Sequence, residues 1–366
     1  LLLLNAIYIL NKMEMDISKF GTKRLSDVTT IRLGGAAKHF IECNSEEEII
    51  QTLKYASDNN INVFVLGGGS NVIFSDDGFD GIVIKVNLKG IGFNDDIVTV
   101  KAGEDWDEFV RTTIENDFAG LECLSGIPGT AGATPVQNVG AYGVEVGNLI
   151  TGISAIDRGT FEKVVFNPEE CGFSYRNSRF KGADKDKYII TDVSFRLVKS
   201  GDPIIKYPEL AKYIGTHFDL KSLNNGKERV LAVREAVLKV RIGKSMIVDE
   251  NDPDSHSCGS FFTNPLLKSS DFDVFLSKCV QKNLKPPYFK DGQNYKVSAA
   301  WLIENSGFEK GFSLNGAGIS NKHSLALVNR GCSTKDIMLL AEHIKKTVSD
   351  NFGVALEIEP ILAAYR

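Results

Sequence analysis

The chain has 366 residues, with 42 Lys and Arg against 47 Asp and Glu, for a net charge of −5. That length allows two or three domains, and that charge excludes a surface built to coat nucleic acid or an anionic membrane, while leaving room for a local basic phosphate site. Hydrophobic residues at 43% and charged residues at 24% fit a soluble globular protein with a sizeable core.

Taken in chain order, the apolar opening Leu1–Leu10 is too short to span a membrane and lacks the basic start and cleavage site of a signal peptide. Residues 1 to about 14 are therefore set aside as a leader of doubtful status, with Met13 or Met15 as alternative starts. Ser45 with Glu48 predicts a capped helix through Ile49, Leu53 and Ala56. Val63–Leu66 reads as a buried strand, followed by Gly67, Gly68, Gly69, Ser70 and Asn71 and by further β-rich runs at Gly81–Val86 and Ile97–Ala102. Asp105 with Glu108 opens a second capped helix.

Residues 125–143 carry five glycines and almost no secondary-structure period. Strand patterns return at Ile153–Phe166 and Tyr188–Leu197, and residues 204–254 mix short helices with Val233–Val240. Asp249–Ser257 is turn-rich and reads as an inter-domain link, and Val297–Glu304 reads as a helix stopping at Gly307. The clearest helix is capped by Ser333, carries the stripe Ile337, Leu340, Ala341, Ile344 and Val348, and ends at Gly353. A final strand is expected to alternate, with Val354, Leu356 and Ile358 on one face and Glu357 and Glu359 on the other.

Six cysteines (Cys43, Cys123, Cys171, Cys258, Cys279 and Cys332) are widely spaced without a C-x-x-C, and no H-E-x-x-H occurs. Neither a disulfide framework nor a metal site is expected; His256 and Cys258 read as an ordinary loop pair, and a reducing, cytoplasmic setting fits best.

The Gly67–Asn71 cluster fails as a dinucleotide fingerprint, because the chain runs on into Val72–Phe74 rather than into a helix. Alone it is equally a plain tight turn. The 125–143 stretch is stronger: backbone N–H groups of its glycines can converge on an anion, small side chains let a flat ring or pyrophosphate lie on the main chain, and Gln137 and Asn138 can hydrogen-bond a ring edge. A structureless loop of this length is usually functional.

Together with these two segments, Thr30–Gly35 (TIRLGG), Tyr175–Ser178 (YRNS), Gly259–Pro265 (GSFFTNP) and Leu356–Glu359 (LEIE) occur in one order along the chain. In that order they resemble the UDP-N-acetylenolpyruvoylglucosamine reductase (MurB) family of the vanillyl-alcohol-oxidase/PCMH-type flavoproteins, over roughly residues 18–362. Tyr207–Leu210 resembles the tyrosine loop of that family's first structural type.

The resemblance implies an α/β (α+β) fold: a two-subdomain PCMH-type FAD-binding region (18–88 and 89–245), a smaller α+β substrate domain (250–350) and a C-terminal strand (354–362) returning to the active site. It implies non-covalent FAD, NADPH as co-substrate, and reduction of UDP-N-acetylglucosamine enolpyruvate to UDP-N-acetylmuramate for peptidoglycan, by a cytoplasmic monomer with small-molecule partners only. Its expected cofactor contacts are Gly67, Gly68, Gly69, Ser70, Asn71, Gly126, Ile127, Pro128, Gly129, Gly132, Ala133, Gln137, Asn138, Gly140, Ala141, Tyr142 and Gly143.

Hydride addition to the vinyl carbon leaves negative charge on C2 and its carboxylate, so the chemistry needs a cation and an acid. By resemblance Arg176 is the cation, Ser260 the proton donor and Glu359 the third member. The family pattern Leu-Glu-Pro-Glu-Val becomes Leu-Glu-Ile-Glu-Pro here, which keeps Glu357 open as an alternative. Tyr175, Tyr207, Lys244 and Asn264 are the expected substrate contacts, with Lys244 equally readable as a solvated lysine and Phe261 and Phe262 as core. Two other functions remain: a flavin oxidase of the same superfamily, although neither glycine-rich segment holds a His or Cys for flavin attachment, and a non-catalytic nucleotide-sugar binding protein.

Overall fold

The computed structural model describes residues 17–363, so the doubtful leader lies outside the described residues. The chain divides into two compact units that interleave in sequence. The first takes the residues up to Lys23, Ala37–Gly68 and Asp80–Val240; the second takes Arg24–Ala36, Gly69–Phe79 and the chain from Arg241 on. The boundary expected at residues 88–89 falls inside the first unit. The expected link, 249–257, lies inside the second, where Asp254 is buried and pairs with Arg330 at 3.1 Å. Among the described residues no helix is long and apolar enough to cross a membrane.

The first unit holds a four-stranded sheet in the order Gly21–Arg24, Ala36–Cys43, Phe79–Val86, Val63–Leu66, whose last pair is parallel. The Glu46–Asp58 helix starts where Ser45 accepts the Glu48 N–H at 3.1 Å and buries Ile49, Leu53 and Ala56, the predicted stripe. The Glu48 carboxylate returns to Asn44 N at 2.7 Å, one residue short of a full capping box.

A five-stranded antiparallel sheet follows, ordered Lys163–Phe166, Ile150–Asp157, Tyr188–Arg196, Ile97–Lys101, Ile91–Asn94. The Trp106–Glu115 helix buries Trp106 and Phe109, whose rings lie 5.9 and 5.6 Å from that of Phe195 on the sheet. Each such ring contributes about 2–3 kcal/mol by leaving water. Val233–Val240 belongs to one helix of 17 residues, Gly226–Ile242. Val230, Val233, Ala236 and Val237 are buried at helical spacing, so a single apolar stripe carries it where short helices were expected.

The second unit contains two three-stranded sheets and a parallel pair, Val72–Phe74 with Ile361–Ala363. Its Thr334–Phe352 helix has the Ser333/Asp336 capping box, ends on Gly353 at φ 70° and buries all five predicted stripe residues. Val297 ends a strand instead of starting a helix; the helix is Ala299–Glu304, because Ser298 accepts Trp301 N at 3.3 Å as its cap.

The terminal strand also differs from expectation. Val354 and Leu356 are buried, but Glu359 is buried too, and the strand itself is only Ile361–Ala363. Residues 357–359 instead run antiparallel to 261–263, with Thr263 N donating to Glu357 O at 3.0 Å and Glu359 N to Phe261 O at 2.9 Å. The ladder stops there, because Phe261 N donates to Leu325 O at 2.7 Å instead of returning to Glu359 O.

Candidate active site

In the first unit Gly67 and Gly68 pack closely on the second glycine-rich segment. A Cβ on Gly67 would lie 2.8 Å from Thr130 Oγ1, and one on Gly68 would fall on the Gly129 Cα, so any side chain would push the loops apart. Lys85 donates to the Gly67 carbonyl; burial, opposed by Glu42 and aided by Lys89, holds its pKa below the usual lysine range. The N–H groups of Gly67 and Gly68 are not used by the fold among the described residues. Such a close-set backbone surface fits a ligand whose pyrophosphate lies on the main chain.

Other donors expected here are committed elsewhere. Gly126 N donates to Asp107 Oδ1 at 2.6 Å, Gly132 N to Ala102 O at 3.0 Å and Ala133 N to Thr130 O at 3.0 Å. A Cβ on Gly132 would clash with Ala102, which explains that glycine by packing. Asn138 corrects a second expectation. Its side chain is buried, donates to Glu145 Oε2 and Ser174 O at 3.0 Å each and accepts Gly147 N at 2.9 Å, so both of its amide N–H groups are spent within the fold. Gln137 Oε1 lies 3.5 Å from Lys181 Nζ.

The YRNS motif is a tight turn closed by Ser174 and Asn177, which exchange backbone hydrogen bonds at 3.1 Å. Arg176 takes φ 53°, an uncommon conformation for a non-glycine residue. The turn is held to the second glycine-rich segment: Ser178 Oγ donates to Val136 O at 2.6 Å and Arg176 Nη2 to Gly140 O at 3.0 Å. The Arg176 guanidinium lies 5.4 Å from the Tyr175 ring centroid. Tyr142 meets Tyr207 edge-on at 5.7 Å, and Tyr207 is 41% exposed just before the Pro208–His217 helix.

In the second unit Ser260 is half-buried between Gly259, at φ 70°, and the fully buried Phe261 and Phe262. Its hydroxyl makes no hydrogen bond among the described residues. The pairing of 261–263 with 357–359 places Ser260 one residue from the position facing Glu359. Glu359 is 8% exposed, whereas Glu357 is exposed to solvent. Asn264 Oδ1 accepts Ala299 N at 2.9 Å, so that oxygen helps start the Ala299–Glu304 helix.

Lys244 lies in a turn stapled by Arg241 Nη2 to Met246 O at 2.8 Å and by Ser245 Oγ to Asp252 Oδ2 at 2.6 Å. His323 is pushed down to about 4 by burial, then by Lys244, Lys310 and Arg241, with Glu304 opposing them. Lys244, Lys310 and Arg241 therefore form a basic cluster facing His323. Spacing in the sequence gave no sign of Lys85, Asp107 or Asp252; the first two hold backbone groups 18 and 19 residues away, and Asp252 holds the Ser245 hydroxyl.

Residues 37–160 match the FAD binding domain family, and 252–363 match the family described as UDP-N-acetylenolpyruvoylglucosamine reductase, C-terminal domain. A UDP-N-acetylenolpyruvoylglucosamine reductase of Thermobifida fusca is 41% identical over 350 residues, covering 92% of this chain and 96% of its own. The chain belongs to the UDP-N-acetylenolpyruvoylglucosamine reductase family. Another reductase of that name, from Streptomyces avermitilis, is 42% identical over 345 residues and covers 92% of this chain and 93% of its own. The solved reductase (MurB) from Thermus caldophilus shares the fold, with a TM-score of 0.65 over 94% of this chain and 98% of that one at 24% identity.

Proposed function

We propose that Arg176, Ser260 and Glu359 carry the substrate-side chemistry of the family's reaction, the NADPH-dependent reduction of UDP-N-acetylglucosamine enolpyruvate to UDP-N-acetylmuramate. The chain is a flavoprotein oxidoreductase of peptidoglycan precursor synthesis that uses FAD, with NADPH as co-substrate. The bound FAD would supply hydride transfer between NADPH and C3 of the substrate.

The observation that carries the reading is the close approach of Gly68 to the Gly129–Thr130 main chain and of Gly67 to the Thr130 side chain, which leaves no room for a side chain at either glycine. The residues that would hold FAD are Gly67–Asn71 and, from the second glycine-rich segment, Ile127–Gly129, Gln137 and Gly140–Gly143. Arg176, held beside Gly140, takes the substrate carboxylate in its planar fork and stabilises the charge arriving there. Ser260 gives its proton to C2; buried Phe261 and Phe262 keep water from competing for that step.

Burial favours Glu359 over Glu357 as the third member. A charged carboxylate beside the developing anion would oppose it, so Glu359 acts either protonated or matched by a cation. Tyr207 and Lys244 bind the diphosphate, in the manner of the tyrosine-loop type, with Tyr175 and the Asn264 amide as further contacts. The enzyme works as a cytoplasmic monomer, a setting supported by six unpaired cysteines.

An anaerobic spectrum of the purified protein tests this function. It is expected to be yellow, to release its flavin on acid or heat, to bleach with NADPH and to recolour with the enolpyruvyl substrate. Flavin retained after denaturation points to an oxidase, and a colourless protein that still binds UDP-sugar points to a binding module.

A further inference from the structure

The first turn of the Trp106–Glu115 helix grips the Leu124–Thr130 loop. Trp106 N donates to Gly129 O at 3.1 Å, Trp106 Nε1 to Leu124 O at 3.0 Å, and Asp105 bridges Thr130 in the antiparallel sense. Asp107 adds a contact of a different kind. Its Oδ1 accepts Gly126 N at 2.6 Å, and the same carboxylate takes Arg234 Nη1 and Nη2 at 2.6 and 2.8 Å. Arg234, 9% exposed, comes from the Gly226–Ile242 helix, more than a hundred residues along the chain.

A two-pronged Arg–carboxylate pair fixes the plane of the carboxylate as well as its place. Here that plane sets one oxygen on the Gly126 N–H, at the start of the turn that ends at Gly129. Gly129 is the residue on whose Cα a Gly68 side chain would fall. A movement at Gly126 therefore changes the gap between the two backbone segments. We propose that Asp107 and Arg234 are positioning residues for FAD, which set the Gly126–Gly129 turn at the spacing from Gly67–Gly68 that a pyrophosphate requires. The inference rests on the flavoprotein reading and adds to it two residues that do not touch the cofactor.

Two double variants separate this role from that of a stabilising ion pair. Both remove the pair without leaving Arg234 buried and unmatched. Asp107→Ala with Arg234→Met removes the acceptor for Gly126 N–H; Asp107→Asn with Arg234→Gln keeps it. Each holoenzyme is diluted serially and the released FAD is read by its fluorescence, with visible circular dichroism reporting the setting of the bound flavin. The Ala/Met protein is expected to lose FAD at a concentration about tenfold higher or more than wild type, with an altered flavin spectrum. The Asn/Gln protein is expected to stay within about threefold of wild type, since its acceptor remains.

Equal retention in the two variants, or equal loss, overturns the proposal, because an ion pair alone would affect both alike. Ala/Met isolated without flavin beside a yellow Asn/Gln supports it. A wild type that carries no FAD overturns the flavoprotein reading as well, whereas equal behaviour of the variants leaves that reading intact.

Discussion

In the first unit Gly68 lies directly against the main chain of Gly129 and Thr130, and Gly67 against the Thr130 side chain; in the second, Ser260 and Glu359 sit beside paired segments that carry the buried Phe261 and Phe262. The two regions fail in opposite ways. A surface made of backbone is damaged by adding an atom, and the side chains that matter to it, Lys85 and Asp107, work by holding carbonyl and N–H groups. A surface made of reactive side chains tolerates changes of shape better than changes of chemistry, and is damaged by removing an atom.

The largest effect is expected where the backbone surface is tightest. Gly68→Ala puts a methyl on the Gly129 Cα, so the loops must separate. FAD retention should drop by about a hundredfold or more, several charged contacts being lost together. The flavin-to-protein absorbance ratio after gel filtration measures it, with far-UV circular dichroism to show that the fold persists. A fully yellow Gly68→Ala protein would break the contrast between the regions.

Lys244→Ala sharpens the other side. Removing a charged phosphate contact is expected to raise KM for the UDP-substrate by about 1.5–3 kcal/mol in binding, with kcat little changed. Steady-state kinetics at saturating NADPH measure it; a collapsed kcat with an unaltered KM would move Lys244 from binding to chemistry.

The smallest effect concerns the same basic cluster. His323 titrates near 4 in the fold against an ordinary 6.5, because it is buried and then because Lys244, Lys310 and Arg241 face it, with Glu304 opposing. Between those values the unfolded chain binds more protons, so stability falls as pH drops from 6.5 towards 4 and is independent of this group above that window. The loss is about 3 kcal/mol at most, and less with partial exposure. His323→Asn can keep an acceptor for Leu325 N–H, which Nδ1 now takes at 3.3 Å, and removes the titration. Urea unfolding across that range should then show a shallower pH slope; an identical slope would place the titration elsewhere.

Local signals in the sequence account for much of this fold. The caps at Ser45, Asp105 and Ser333 and the stripe from Ile337 to Val348 are set by neighbours within a turn or two, and all form as read. The glycine-rich segments were visible because side chains are missing there. Properties fixed by distant partners were not. Thr30–Gly35 and Val72–Phe74 join the second unit through Thr30 Oγ1 to Ser257 O at 2.6 Å and through pairing with Ile361–Ala363. Asn138 looked like a ligand contact because its partners, Glu145, Gly147 and Ser174, come together only in the folded chain. That Glu359 is buried and Glu357 exposed could not be read from the motif, because it depends on the segment's packing in the folded chain.

The division of labour is tested most directly by stopped-flow absorbance of the two half-reactions in wild type and Ser260→Ala. Reduction of the bound FAD by NADPH needs no acid at C2, so the variant should match wild type in that phase. Reoxidation by the enolpyruvyl substrate should slow by about 10²–10⁴-fold, the usual worth of a general acid. Equal slowing of both phases, or reoxidation at the wild-type rate, would contradict the assignment of Ser260 as the proton donor.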